Sequence, residues 1–271
     1  MRRPSPYLLA IALATIMIST APSALLAKQS KSDAAPESTT TFFTFTGSPR
    51  VAVSNHGNIV QFEAPAGYEH LGVGALSEGY VLCTSNSIAY DVGGSESGFG
   101  ASTINCTAAG GCTITRNTSD GRLQLKQVIK KPADRAFSIA MTVKNLTGSG
   151  IAGVVLRRQS DLDVDSGGAL GTAGFTNNFA SSERDSVYVW NAPNASVNEE
   201  HAVTLSQRGK SPASALSLAK TTSAILDTTC NPANLTAAGP VKGDYGATIQ
   251  FNLGTLGAGK TAGGTVQYRR D

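Results

Sequence analysis

The sequence predicts an all-β fold, a single large antiparallel β-sandwich (or supersandwich) of about a dozen strands. Three observations predict it. Apolar residues recur with a period of two from Thr41 onward. Gly, Asn and Pro cut the chain into short runs rich in β-branched and aromatic residues. No stretch combines a 3.6-residue apolar period with the caps of a long amphipathic helix.

The elements follow in chain order. Arg2 and Arg3 precede the apolar run Tyr7 to Ile18, and small residues then offer cleavage points after Ala21, Ala24 or Ala27. This is the pattern of a secretory signal peptide over residues 1–27, and the run is too short for a comfortable membrane span. The expected protein is secreted or periplasmic, with no span once the signal is removed. Residues 28–41, "KQSKSDAAPESTTT", are polar and aperiodic, as in a flexible linker. The sandwich domain then occupies 42–271. Its strands begin with "TFFTFT", "NIVQFEA" (58–64) and "YVLCTS" (80–85). "GRLQLKQVIKK" (121–131) and "RAFSIAMTVKN" (135–145) alternate apolar and polar faces, the latter with Phe137, Ile139, Met141 and Val143 on one side. After the turn "LTGSG" come "IAGVVLRRQSDLDVD", "SVYVWN" (186–191), "HAVTLSQ" (201–207), "ATIQFNL" (247–253) and "GTVQYRR" (264–270). The stretch 214–226 is ambiguous, and Thr221 and Thr222 tilt it towards strand.

The four cysteines, Cys83, Cys106, Cys112 and Cys230, are an even count in an exported chain, which suggests two disulfides. Three pairings are open. "CTAAGGC" favours Cys106 with Cys112, because its Ala-Ala-Gly-Gly core can turn tightly and "TITR" after it reads as a strand. That leaves Cys83 with Cys230. There is no C-x-x-C, and His56, His70 and His201 are far apart in sequence, so no zinc spacing is present. A net charge of +3 and 15% charged residues do not mark a nucleic-acid binder.

Two motifs suggest chemistry. "GTLGAGKT" matches the phosphate-loop pattern with Gly254, Gly259, Lys260 and Thr261 in place. A phosphate loop needs a strand feeding a Gly-rich turn that opens a helix, whose N-terminal N–H groups cradle the phosphates. Here "AGGTVQYRRD" follows, with Gly263 and Gly264 and then alternation. The match is read as a loop between the last two strands, with no nucleotide. In "RRQSDLDVDSGG", Asp161, Asp163 and Asp165 are spaced by two, which places strand neighbours on one face, roughly 7 Å apart. Such a pair repels by about 2 kcal/mol at an effective dielectric of 20. The leading expectation is a solvated acidic face. The alternatives are a Ca²⁺ or ligand site and sugar-binding or catalytic carboxylates. As an EF-hand the stretch fails, with Ser166 at the sixth position and Thr172 at the twelfth. Arg158 shares parity with Leu156, Leu162 and Val164, so it marks a bulge or makes a buried pair.

No complete catalytic constellation is present: no G-x-S-x-G elbow and no H-E-x-x-H. Glu78 and Asp91 are a candidate carboxylate pair for glycoside chemistry, although surface carboxylates at turns are the commoner case. Trp190, Tyr188 and Tyr80 are candidates for a sugar-stacking surface, and a lone Trp in a sandwich is more often core.

"FSIAMTVKNLTGSGIAGVVLRR" resembles the strand-turn-strand hairpin of immunoglobulin-like modules in bacterial surface proteins, and "IQFNLGTLGAGKTAGGTVQY" resembles their closing hairpin. "GYVLC", "AYDVGG" and "LRRQSDLDVD", in that order, resemble exported bacterial β-sandwich or supersandwich proteins without assigned activity. The resemblance implies fold and export. A supersandwich also hosts sugar mutarotases, whose catalytic His and Glu have no match here. The expected role is a binding or extracellular structural module for a glycan or another protein. The rival is a carbohydrate-active enzyme, a glycoside hydrolase or mutarotase-like, using carboxylates among Glu78, Asp91, Asp161 and Asp163 at the sandwich rim.

Overall fold

The period-two runs become strands, some burying one face and solvating the other, as β9 and β10 do, and others, such as β4, buried on both. A computed structural model describes residues 43–71, 78–92, 94–165, 177–181, 185–191, 201–209, 216–222, 227–236, 240–243 and 245–271. The signal peptide and linker expected over residues 1–41 lie outside the described residues. β1 (Phe43–Phe45), β2 (Arg50–Val53) and β3 (Ile59–Glu63) form a small antiparallel sheet. β4 (Glu78–Cys83), β5 (Ile88–Val92) and β6 (Ser95–Ser97) make a meander, and β7 (Phe99–Thr107), β8 (Gly111–Thr118), β9 (Leu123–Ile129) and β10 (Ala136–Asn145) make a second. β11 (Ile151–Ser160) returns to pair with β4. A third meander follows in β12 (Asn177–Ser181), β13 (Ser186–Trp190) and β14 (Ala202–Arg208). The chain closes with β15 (Leu216–Thr222), β16 (Leu235–Thr236), β17 (Val241–Gly243), β18 (Gly246–Leu256) and β19 (Thr261–Arg270).

Two large sheets result. One has nine strands in the order β17-β12-β13-β14-β19-β10-β9-β8-β7, the other seven in the order β16-β15-β18-β11-β4-β5-β6. Their inner faces share one apolar core, with Leu125, Ile139 and Val189 from the first sheet and Leu82, Leu156 and Phe251 from the second. The approach is close at β19. A Cβ on Gly264 would lie 2.2 Å from the ring of Phe251, so only glycine fits there. The small sheet packs on the same core through Phe62, whose ring centroid is 5.1 Å from that of Phe137 and 6.5 Å from that of Tyr268.

The described residues hold nineteen strands, more than the dozen expected. The additional ones had little to show in sequence. β6, β16 and β17 are two or three residues long, and β7, at the sheet edge, has no buried residue. The ambiguous stretch is strand over Leu216–Thr222. The phosphate-loop match is a β-hairpin. β18 runs to Leu256, Lys260 N–H donates to the Gly257 carbonyl at 3.0 Å, Gly259 takes φ +66°, and β19 starts at Thr261. No helix follows to present N–H groups to a phosphate. Disulfides join Cys83 to Cys230 and Cys106 to Cys112.

Candidate functional site

The interior between the sheets contains a chain of polar side chains, and strand register assembles it. β4 and β11 pair so that Tyr80 lies opposite Arg158 and Glu78 opposite Ser160. Glu78, Tyr80 and Leu82 share one face of β4, and that face is the inner one. Arg158 follows Leu156 inward by the same alternation. The register from Val155 to Ser160 is unbroken, so Arg158 marks no bulge; it makes a buried pair. Its Nη2 donates to Glu78 Oε2 at 2.6 Å, and its Nε donates to Oε1. Its remaining donors reach Gln127 Oε1 and the Gly57 carbonyl. Glu78 also accepts from Tyr268 O–H at 2.7 Å and from Ile59 N–H at 2.8 Å. Complete burial pushes the Glu78 carboxyl above its ordinary range, and the Arg158 guanidinium with these donors works against that push.

The chain continues towards the surface. The carbonyl of His56 accepts from Tyr80 O–H at 2.9 Å and from Gln127 Nε2 at 3.1 Å. Arg116 Nη1 donates to Tyr80 Oη at 3.2 Å and to Asp91 Oδ2 at 2.6 Å, and its Nη2 donates to Glu96 Oε2 at 2.9 Å. Asn58 Nδ2 donates to Asp91 Oδ1 at 2.7 Å. His56 Nδ1 lies 2.9 Å from Asp91 Oδ2 and 3.2 Å from Glu96 Oε2. Burial acts to raise the Asp91 carboxyl, but His56, Arg116 and Asn58 hold it below its ordinary range. Glu96 is the member open to solvent, with its side chain 43% exposed. His56, Asp91 and Glu96 offer ligand atoms within 4.8 Å of one another, the spacing a metal ion needs. Arg116 donates to the same two carboxylates, so its guanidinium already supplies the positive charge that a metal ion would bring.

A second cluster gathers the other two histidines. His201 Nδ1 lies 2.8 Å from Asp165 Oδ2, which also accepts from Asn191 Nδ2 at 2.5 Å. His70 Nε2 donates to the Ala64 carbonyl at 2.9 Å, which leaves Nδ1 to accept the Asp165 N–H at 3.4 Å. Burial depresses His70 to about 4, so the ring is neutral, as this tautomer requires. On the far face of the seven-stranded sheet, Arg157 donates to Asp227 Oδ2 at 2.7 Å and to Gln250 Oε1, tying residues 227–231 down beside the Cys83–Cys230 bond.

These positions correct two expectations. The aspartate run is not a solvated strand face. β11 ends at Ser160, and Asp161, Asp163 and Asp165 are 2%, 1% and 2% exposed in the turn that follows. Asp165 adopts φ +64° there, outside the β region, so the period of two no longer governs where the side chains point. Glu78 and Asp91 are not turn carboxylates at the surface. They lie within β4 and β5, buried, each with an arginine partner. Tyr80 is wholly buried, while Tyr188 is exposed and Trp190 half-buried on β13. The sequence reading missed His56, Arg116, Gln127 and Tyr268 as network members. Parity carried a signal for three of them: Arg116 shares it with Ile114, Gln127 with Leu125, and Tyr268 with Val266.

No protein-family model matches this chain, and no curated protein matches it. Among solved structures it is similar to a bacterial glucoamylase complexed with acarbose, at a TM-score of 0.47 and 10% identity. That match covers 88% of this chain and 34% of the glucoamylase chain, so the protein spans about a third of the length of that relative. A likeness this distant carries no inference about activity. The all-β sandwich architecture stands on the strands themselves.

Proposed function

We propose that the chain is an exported, non-catalytic β-sandwich that acts as a binding module or as part of an extracellular structure. The observation that supports this reading is the state of its carboxylates. Glycoside chemistry needs two carboxyl groups facing the sugar, one to give a proton and one to attack or to activate water. Glu78 is 0% exposed and is taken up by Arg158, Tyr268 and the Ile59 N–H. Asp91 is 1% exposed and accepts from Arg116 and Asn58. Both serve the interior. Export is supported by the signal-like first 27 residues and by two disulfides, which persist in oxidising compartments. The test is to incubate the purified mature chain with a panel of polysaccharides, assaying new reducing ends while measuring retention and self-association. Retention or self-association without new reducing ends is expected. Release of reducing ends above a heat-denatured control would establish the carbohydrate-active enzyme instead.

A further inference from the structure

The larger sheet is the basic one. The nine strands of the larger sheet contain no Asp or Glu, whereas β4, β5 and β6 of the other carry Glu78, Asp91 and Glu96. On the solvent face of the larger sheet stand Lys126, Lys144, Arg208, Lys242 and Arg269, all exposed. Asp271 reaches this face, where its Oδ1 lies 3.2 Å from Arg269 Nε. The strands around the other four cations carry no carboxylate.

Two aromatic rings sit on the same face. Val187 and Val189 of β13 are buried, so alternation turns Tyr188 and Trp190 outward. Their ring centroids are 5.3 Å apart, and Tyr188 is 38% exposed. Register places Arg269 two strands from Tyr188, through Thr204, and Lys242 two strands from Trp190, through Asn178. Each cation therefore lies roughly 10 Å to one side of the pair.

We propose that this face binds an acidic polysaccharide, a chain bearing uronate carboxylates. The inference rests on the binding reading above and names its ligand class and site. Tyr188 and Trp190 stack on the apolar faces of sugar rings, and Lys242 meets a carboxylate on one side, while Arg269 on the other is shared with Asp271. Duplex nucleic acid would satisfy the cations but keeps its ring faces inside the base stack, which leaves the aromatic pair unused.

Polygalacturonate is the probe, in affinity electrophoresis and titration calorimetry on the full mature chain, with a neutral glucan and duplex DNA as controls. Retention by polygalacturonate is expected, weakened by salt, and roughly tenfold weaker in Trp190→Ala and Tyr188→Ala. Lys242→Glu should weaken it as well. Tyr188 and Lys242 are exposed and Trp190 is half-buried, so thermal unfolding should stay cooperative with at most a small drop in midpoint, and it serves as the folding control. Equal binding of the neutral glucan would overturn the acidic class while leaving the binding reading intact. Equal binding of duplex DNA, or retention indifferent to Trp190→Ala and Tyr188→Ala, would overturn the site. No glycan binding alongside self-association in sedimentation velocity would overturn the inference and leave the structural role standing. Cleavage of polygalacturonate would overturn the non-catalytic function itself.

Discussion

Replacing Arg158 with methionine tests whether the interior is held by its ion pair. Arg158 is fully buried, and its guanidinium donates to Glu78 twice, to Gln127 and to the Gly57 carbonyl. Methionine fills much of the same space with no donor. Glu78 then keeps only Tyr268 O–H and the Ile59 N–H. Removing one partner of a buried pair costs about 3 to 5 kcal/mol, and each orphaned acceptor adds about 1 kcal/mol. The expected loss for R158M is therefore about 5 to 7 kcal/mol, a large part of the roughly 5 to 15 kcal/mol available to a folded domain. The double variant E78Q/R158M removes the stranded charge and should lose clearly less than R158M alone. Burial already raises the Glu78 carboxyl. Without Arg158 it rises further, so the penalty of R158M should shrink as pH falls and the carboxyl protonates. Urea unfolding with the disulfides intact, extrapolated linearly to water, gives each value. A loss under about 1 kcal/mol, or a double variant no better than R158M, would show that the pair is not the element holding these strands together.

Two further perturbations test other parts of the structure. His70 has an ordinary value near 6.5 and a folded value of about 4, so the unfolded chain binds the extra proton between these limits. Its contribution is complete above about pH 6.5 and is lost as pH falls towards 4, worth about 3 kcal/mol in all; in His70→Asn the stability profile should be flatter across that window, and superimposable profiles would contradict the assignment. The two disulfides close loops of very different span, 147 and 6 residues in separation. In the chain-entropy model, Cys83→Ser/Cys230→Ser should cost about 5 kcal/mol and Cys106→Ser/Cys112→Ser about 2; the reverse order in denaturant melts would refute loop closure as their main effect.

Much of the fold was legible because alternation is local. The apolar parity of 121–131 and 135–145 predicts which face of β9 and β10 turns inward, and the strands obey it. The outward cations Lys126 and Lys144 follow from the same parity. An edge strand such as β6 was illegible for the converse reason: with no apolar residue to bury, its pairing is set by the neighbour and not by its own residues.

The polar interior was half legible, and the reason is distance along the chain. Parity marks Arg116, Gln127, Arg158 and Tyr268 as polar or amphipathic groups on apolar faces, and an unpaired guanidinium there would be prohibitively costly. Parity therefore demands a partner without naming it. Glu78 lies 80 residues from Arg158, and only the pairing of β4 with β11 brings them together. The aspartate run fails differently. Alternation holds through Ser160 and is then lost, because 161–165 leave the strand and Asp165 takes a left-handed φ. Its partners Asn191 and His201 follow 26 and 36 residues later. A periodic argument can be carried only as far as the backbone stays periodic. Beyond that point, an acidic run whose charge calls for solvent can instead be buried, with Asp165 supplied with donors from elsewhere in the chain.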